Sequence, residues 1–421
     1  MYVADSRAGA PAPASADGAV RPPAGRRRAA VAPTVLALGT VSLITDVSSE
    51  MVTAVLPLYL VAGLGLSPLG FGLLDGVYNG FSALVRLLGG HVADRGGGRH
   101  KTVACLGYGV SALCKPLLLL AHSLTPIGLV LAADRTGKGL RTAPRDALIS
   151  LSSTPESRGR AFGVHRAMDT AGALLGPLVA FWILRLTVDG YDAVFTVSFC
   201  VAAVGVLVLV LFVPGGRTAP PADDGPRPTL RGALGLLRER DLRRIALCAL
   251  LLGLATVSDS FVYLLLQRRL GVPDRWFALL PLGTAAAFLL LAVPAGRLAD
   301  RVGRWRIFLA GHGALLAAYA LLLTSWHGSA LPYAVLVLHG AFYAATDGVL
   351  MAAASDSVPE ALRSSGLALV QTGQALARFA CSLAFGALWT VWGDRAALTA
   401  SALALAGCAA FSFTLRPKGT A

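Results

Sequence analysis

Long apolar blocks recur along this chain, among them Leu118–Leu131, Val194–Val213, Ala246–Leu266 and Leu309–Leu323. In a helix, about 20 such residues cross the roughly 30 Å hydrocarbon core of a bilayer. The blocks do not alternate apolar and polar positions as barrel strands do. Read as helices, they predict twelve spans at 34–61, 69–92, 103–122, 126–148, 161–186, 194–213, 244–267, 276–298, 307–325, 332–354, 364–388 and 396–415. Residues 214–243 form the long charged connection, with Pro214, Gly215, Pro220, Pro221, Asp223, Asp224 and Pro226 ahead of the more helical Leu230–Arg243. The organisation expected is a disordered cytoplasmic tail at 1–30, a six-helix bundle at 31–213, a cytoplasmic linker at 214–243, a second six-helix bundle at 244–415 and a tail at 416–421. The fold class is an all-α membrane protein of twelve transmembrane helices in two pseudo-symmetric bundles.

Composition strengthens this reading. With 55% hydrophobic and 14% charged residues and a mean hydropathy of +0.66, the 421-residue chain does not read as a set of soluble domains. A net charge of +14 raises the question of nucleic-acid binding. The basic residues, however, are spaced by membrane-length gaps and collect on one side, as the positive-inside rule describes. They lie in the first tail (Arg7, Arg21, Arg26, Arg27, Arg28), after span 2 (Arg95, Arg99, Lys101), after span 4 (Arg158, Arg160), from Arg217 to Arg244, around 297–306, and at Arg363, Arg416 and Lys418. The opposite loops hold Arg268, Arg269, Arg275 and Arg395. Both termini are therefore expected in the cytoplasm, with the lipid bilayer and not nucleic acid as partner. Four lysines among 37 basic residues, with abundant Ala and Gly, point to a GC-rich bacterial genome and hence the bacterial cytoplasmic membrane. The six cysteines sit inside apolar segments without C-x-x-C spacing and read as small core residues; no metal site is expected.

The two halves repeat. GHVADRGGGRHK at 90–101 and GRLADRVGRWR at 296–306 share G-x-x-A-D-R, aligning Asp94 with Asp300; a parallel repeat of a six-helix unit is typical of transporters. The second copy, with Gly296, Leu298, Ala299, Asp300, Arg301, Gly303 and Arg304, resembles the G-x-L-A-D-R-x-G-R signature of the major facilitator superfamily. The first copy matches at Gly90, Ala93, Asp94, Arg95 and Gly97 and departs at Gly98, where a basic residue is usual. The resemblance implies that these loops brace a cytoplasmic gate by a charge relay that locks one packing of the halves. Arg135-x-x-Lys138-Gly139 resembles the R-x-x-Q-G pattern of proton-coupled members, with Lys for Gln. Gly172-x-x-x-Gly176-Pro177 resembles the start of the antiporter signature, whose closing glycines are replaced by Ala180 and Phe181. The implied activity is alternating-access transport of a small solute by a monomer without a cofactor, with protons as coupling ion. Efflux of a drug-like or metabolic compound is favoured, and uptake of a small organic solute, anionic ones included, by symport is the alternative.

Ionisable residues deep in the spans are the candidate chemistry, because charge in the bilayer centre is costly unless it faces a cavity or a partner. Asp134, Lys138, Arg141 and Arg145 share a face of span 4, and Asp46, Glu50 and Thr53 a face of span 1. The resemblance places both helices, with spans 7 and 10, around the central cavity, which makes Asp259 and Asp347 the better candidates of the second half. Asp46, Glu50 and Asp134 with Lys138 and Arg141 are expected to form a proton-coupling centre; the competing reading is that each only pairs structurally. Asp75, Arg86, Lys115, His165, Arg166, Asp169 and Arg378 are further buried candidates, while Gly72, Gly76 and Gly80 read as a close-packing stripe. Gly137-Lys138-Gly139 is not a phosphate loop, since Ala132 and Gly139 stand where Gly and Ser or Thr are required. An enzyme is not expected, and a membrane enzyme or solute-sensing receptor on this fold is the remote alternative.

Overall fold

A computed structural model describes residues 32–95, 100–154, 157–188, 190–215, 235, 238–326, 328–356, 358 and 363–415, with the backbone alone for 82–84, 86–95, 143, 356, 363–365 and 368. The first half contains α1 (Pro33–Leu58, continued by a π-turn at Tyr59–Gly63), α2 (Pro68–Arg95), α3 (His100–Leu120), α4 (Leu124–Leu151), α5 (Arg158–Leu186) and α6 (Gly190–Phe212). The second contains α7 (Arg240–Ala255), α8 (Asp259–Leu270), α9 (Asp274–Phe277), α10 (Leu280–Val302), α11 (Arg304–Leu323), α12 (Leu331–Asp356) and α13 (Arg363–Thr414). These make twelve passes. α7 and α8 are one pass broken at Thr256–Ser258, α9 and α10 another, and the 52 residues of α13 turn back at Gly393, whose φ of 84° is open to glycine, to make two. The expected spans at 364–388 and 396–415 are thus joined without an intervening loop, and the expected single span at 244–267 is interrupted.

Membrane burial explains the element type, because only a helix satisfies its own backbone polar groups in hydrocarbon. Nine stretches among the described residues are apolar and long enough to cross by composition alone. α2 and α4 fall outside that set: α2 carries Asp75, Asn79 and a glycine stripe, and α4 carries Asp134, Arg135, Lys138, Arg141, Arg145 and Asp146. Leu106, Leu113, Leu117 and Leu120 of α3 and Val204, Leu207 and Leu211 of α6 are exposed large apolar residues at helical spacing, the faces that meet lipid.

Lipid chains are as apolar as leucine, so helices associate by close packing of small residues. A Cβ on Gly172 of α5 would collide with the Leu43 carbonyl oxygen of α1, and one on Gly176 would lie 2.7 Å from Glu50 Cβ. The duplication seen in the sequence returns in the pairing of helices: α1 packs on α5, α2 on α4 and α3 on α4, and correspondingly α7 on α13, α10 on α12 and α11 on α12. The halves meet chiefly through α2 against α13, assisted by α5 against α9 and α10. The end of the bundle that carries the α1–α2, α3–α4 and α5–α6 connections is termed upper, and the opposite end lower.

Candidate functional site

Two ion pairs bridge α1 and α4. Arg141 Nη2 donates to Asp46 Oδ1 at 3.3 Å, and Lys138 Nζ approaches Glu50 Oε1 at 3.9 Å. They differ in setting. The Arg141 and Asp46 side chains are 4% and 13% exposed and Arg141 also stacks over the Tyr108 ring at 4.4 Å, whereas Lys138 and Glu50 are 35% and 29% exposed. The three-residue step from Lys138 to Arg141 and the four-residue step from Asp46 to Glu50 keep both pairs on facing stripes.

Asp134 turns away from α1. Its carboxylate accepts from Ser111 Oγ at 2.5 Å, from Arg135 Nη2 at 2.7 Å and from Arg135 Nε at 3.1 Å, with Lys115 Nζ at 3.5 Å. Arg135 lies 3.7 Å over the Tyr78 ring of α2, and the Tyr78 hydroxyl meets Thr53 Oγ1 of α1 at 2.6 Å. Ser49, Thr53, Tyr78, Lys115, Asp134 and Arg135 line a small pocket inside the first half. The five charges expected to act together are therefore split between this cluster and the α1–α4 pairs, because Asp134 and Lys138, although four residues apart, engage α3 and α1 respectively.

Nearer the lower end, α5 joins the network. Arg145 reaches Asp169 at 3.6 Å and Asp146 at 3.1 Å, Arg166 reaches Asp169 at 3.5 Å, and Ser42 Oγ shares a hydrogen bond with His165 Nε2 at 2.9 Å. Asp169 also lies within hydrogen-bonding reach of Asp46, which ties this group to the Asp46–Arg141 pair. Gly172, Gly176 and Pro177 continue the same helix and form the close contact with α1 described above.

In the second half Asp259 opens α8 just after the break. It accepts from Tyr343 Oη at 2.5 Å and pairs with His339 Nε2 at 3.0 Å, both on α12. The His339 ring is buried and its Nδ1 makes no hydrogen bond, while the Asp259 side chain remains 40% exposed. Asp347, on the same helix, is 4.0 Å from Arg378 of α13. The two predicted acids are thus separate, each with its own partner.

Of the gate loops, Gly90, Asp94 and Arg95 are described by their backbone alone, and positions 96–99 lie outside the described residues. In the second copy Arg304 Nη2 lies 3.6 Å from Asp300 Oδ1, and Gly303, at φ 106°, ends α10 and begins α11. A Cβ on Gly296 would meet nothing within 4 Å, and Arg301 is exposed. His339 and Ser111 were not among the sequence candidates. The signal for His339 was its spacing, since His339, Tyr343 and Asp347 recur every four residues on one face of α12. Ser111 gave none.

The chain matches the family model of the Major Facilitator Superfamily over residues 38–381 and 276–421. It is 30% identical over 380 residues to an uncharacterised MFS-type transporter of Methanocaldococcus jannaschii, covering 88% of this chain and 92% of the relative. It is 30% identical over 172 residues, 40% of each chain, to the multidrug resistance protein MdtH of Photorhabdus laumondii. Among solved structures, the nucleoside transporter NupG superimposes with a TM-score of 0.78 at 14% identity, covering 91% of this chain and 98% of the other.

Proposed function

The chain belongs to the major facilitator superfamily and is a multi-pass membrane transporter of that fold, and from that premise we propose that it expels a drug-like or metabolic compound in exchange for protons. The observation that carries the reading is the Glu50–Lys138 pair, a long and half-open ion pair between α1 and α4 beside the closed Asp46–Arg141 pair. A carboxylate that can trade its cation for a proton links protonation to the packing of the two helices that bear it. Efflux is supported by the similarity to a multidrug resistance protein over 40% of the chain. The arginine asymmetry of the loops supports a cytoplasmic lower end, with both termini on that side. In that orientation the present state, closed above by α2 on α13, is the one in which a cytoplasmic solute loads.

The test is flux in proteoliposomes with an imposed pH gradient, using compounds to which a deletion strain is hypersensitive. Accumulation driven by counter-flowing protons is the expected result. Solute moving in the same direction as protons would make the protein a symporter, and release of a chemically altered compound would make it an enzyme.

A further inference from the structure

The halves are closed at the upper end over a short stretch of backbone. A Cβ on Gly72 of α2 would collide with the Ser382 carbonyl oxygen of α13, one on Gly386 would collide with that of Pro68, and the Leu69 N–H donates to Thr390 Oγ1 at 3.0 Å. One turn below Gly72 sits Asp75, buried, about 10 Å from the upper end of α2 at 1.5 Å per residue. Its Oδ2 accepts from Ser382 Oγ of α13 at 2.7 Å. The hydroxyls of Ser258 and Ser260, at the α7–α8 break, flank the same carboxyl group, and that of Ser258 is buried without a hydrogen-bond partner. All three hydroxyls belong to the opposite half.

Among the described residues no cation pairs with Asp75. The titratable groups that face it are Asp259 from α8 and the Cys381 thiol from α13. From α4 the adjoining contact is Gly128 against Leu74, and the charges of that helix, Asp134 and Arg135, engage Tyr78 a turn further down. This setting differs from every other deep acid described above, each of which has a basic or imidazole partner on its own half.

We propose that Asp75 is a proton-binding site at the junction of the halves, which holds the upper end closed when protonated and releases it when charged. Parting α2 from α13 carries this carboxyl from hydroxyl contact into water on the upper side. Taking a carboxylate out of water without a cation, toward a second carboxylate, opposes closure; taking out a neutral carboxyl does not. Closure and proton uptake are therefore one linked equilibrium, and by reciprocity each promotes the other. The inference rests on the transporter reading for its purpose but not on the direction of transport or on the role of Glu50.

The test places spin labels at Leu69 and Thr390 on the full chain in lipid nanodiscs and measures the short-distance population at about pH 5 and about pH 8, a range that brackets titration of a buried carboxyl. In the otherwise unaltered protein the closed population rises on acidification. In Asp75→Asn, which keeps the shape and a hydrogen-bonding group, closure predominates at both values and the pH response is lost. In Ser382→Ala the closed population falls at each pH while the response persists, a measurement that stands if Asp75→Asn does not fold. A pH response unchanged in Asp75→Asn, a response absent from the unaltered protein, or one abolished in Ser382→Ala would overturn the proposal. Absence of any solute flux would instead remove the transporter reading and leave these distances interpretable.

Discussion

The Glu50 carboxylate on α1 and the Lys138 ammonium on α4 stand 3.9 Å apart, and both side chains are about a third exposed. A pair so open contributes only about 0–1 kcal/mol to stability. Glu50→Gln is therefore expected to leave the protein in the membrane with little change in thermal unfolding, to abolish gradient-driven flux, and to spare energy-independent solute exchange. Counterflow and gradient-driven assays on the same liposomes check this. Full coupled transport in the variant would show the pair to be structural.

The neighbouring pair behaves oppositely. Asp46 and Arg141 are nearly closed off and meet at 3.3 Å, so removing one partner strands a buried charge. Asp46→Asn or Arg141→Leu is expected to destabilise by about 3–5 kcal/mol, the usual cost of breaking such a pair. The double variant Asp46→Asn with Arg141→Leu recovers most of that loss without recovering coupled transport. Thermal unfolding of the four proteins in a double-mutant cycle measures the coupling; additive losses would dissolve the pair.

These contrasts mark what sequence reasoning could reach. Apolar block length and the repeated G-x-x-A-D-R loops made the twelve passes and the duplicated bundle legible, since both follow from bilayer thickness and internal homology. Shared helical faces set Asp46 and Glu50 toward Arg141 and Lys138, which they approach at 3.3 and 3.9 Å in the fold. They did not reveal that Asp134 turns to Ser111 and Lys115, because a stripe on a helix about 100° wide touches two neighbours and periodicity does not say which residue meets which. The break at Thr256–Ser258 was hidden for a different reason. It has no proline or glycine of its own, and its Val257 N–H is satisfied by Tyr319 Oη of α11 at 2.8 Å, a contact made only in the folded bundle.

Gly176 connects the antiporter-like motif to the α1–α4 pairs. A Cβ there would lie 2.7 Å from Glu50 Cβ and 2.8 Å from the Val47 carbonyl oxygen. Gly176→Ala must push α1 from α5 and carry Glu50 with it, at about 1–3 kcal/mol for overpacking. Transport is expected to fall further than stability alone explains, and the Glu50-dependent coupling defect to be partly reproduced. Reconstituted flux normalised to folded protein tests this; an unaffected rate would show that α1 tolerates displacement at Glu50.

Orientation is open to direct measurement. On a background lacking the six cysteines, single cysteines at 215–228 are expected to react only with reagent admitted to the cytoplasm, and those at 189–192 with impermeant reagent added outside. Labelling with the reverse pattern would invert the assignment of the upper and lower ends, and with it the loading state.

The last expectation concerns what the second half offers a solute. Asp259 accepts from the Tyr343 hydroxyl and pairs with His339, yet 40% of its side chain stays open, and its partners on α12 include no permanent cation. Lys138 across the first half is similarly open but basic. A solute bearing a basic nitrogen would find in Asp259 an acceptor already oriented by two neighbours, and a hydrogen bond to a charged group is worth about 1.5–3 kcal/mol. Asp259→Asn is therefore expected to weaken binding of such a solute by about ten- to a hundredfold, a factor of ten corresponding to about 1.4 kcal/mol. His339→Gln, which leaves the carboxylate but loosens its orientation, should cost less. Calorimetric titration of a compound that shows flux, beside its analogue lacking the basic nitrogen, separates the possibilities. The analogue must bind the unaltered protein and Asp259→Asn alike. Equal loss for both ligands would mean that the substitution had deformed the α7–α8 break, and no loss for either would return Asp259 to a purely structural pairing with α12.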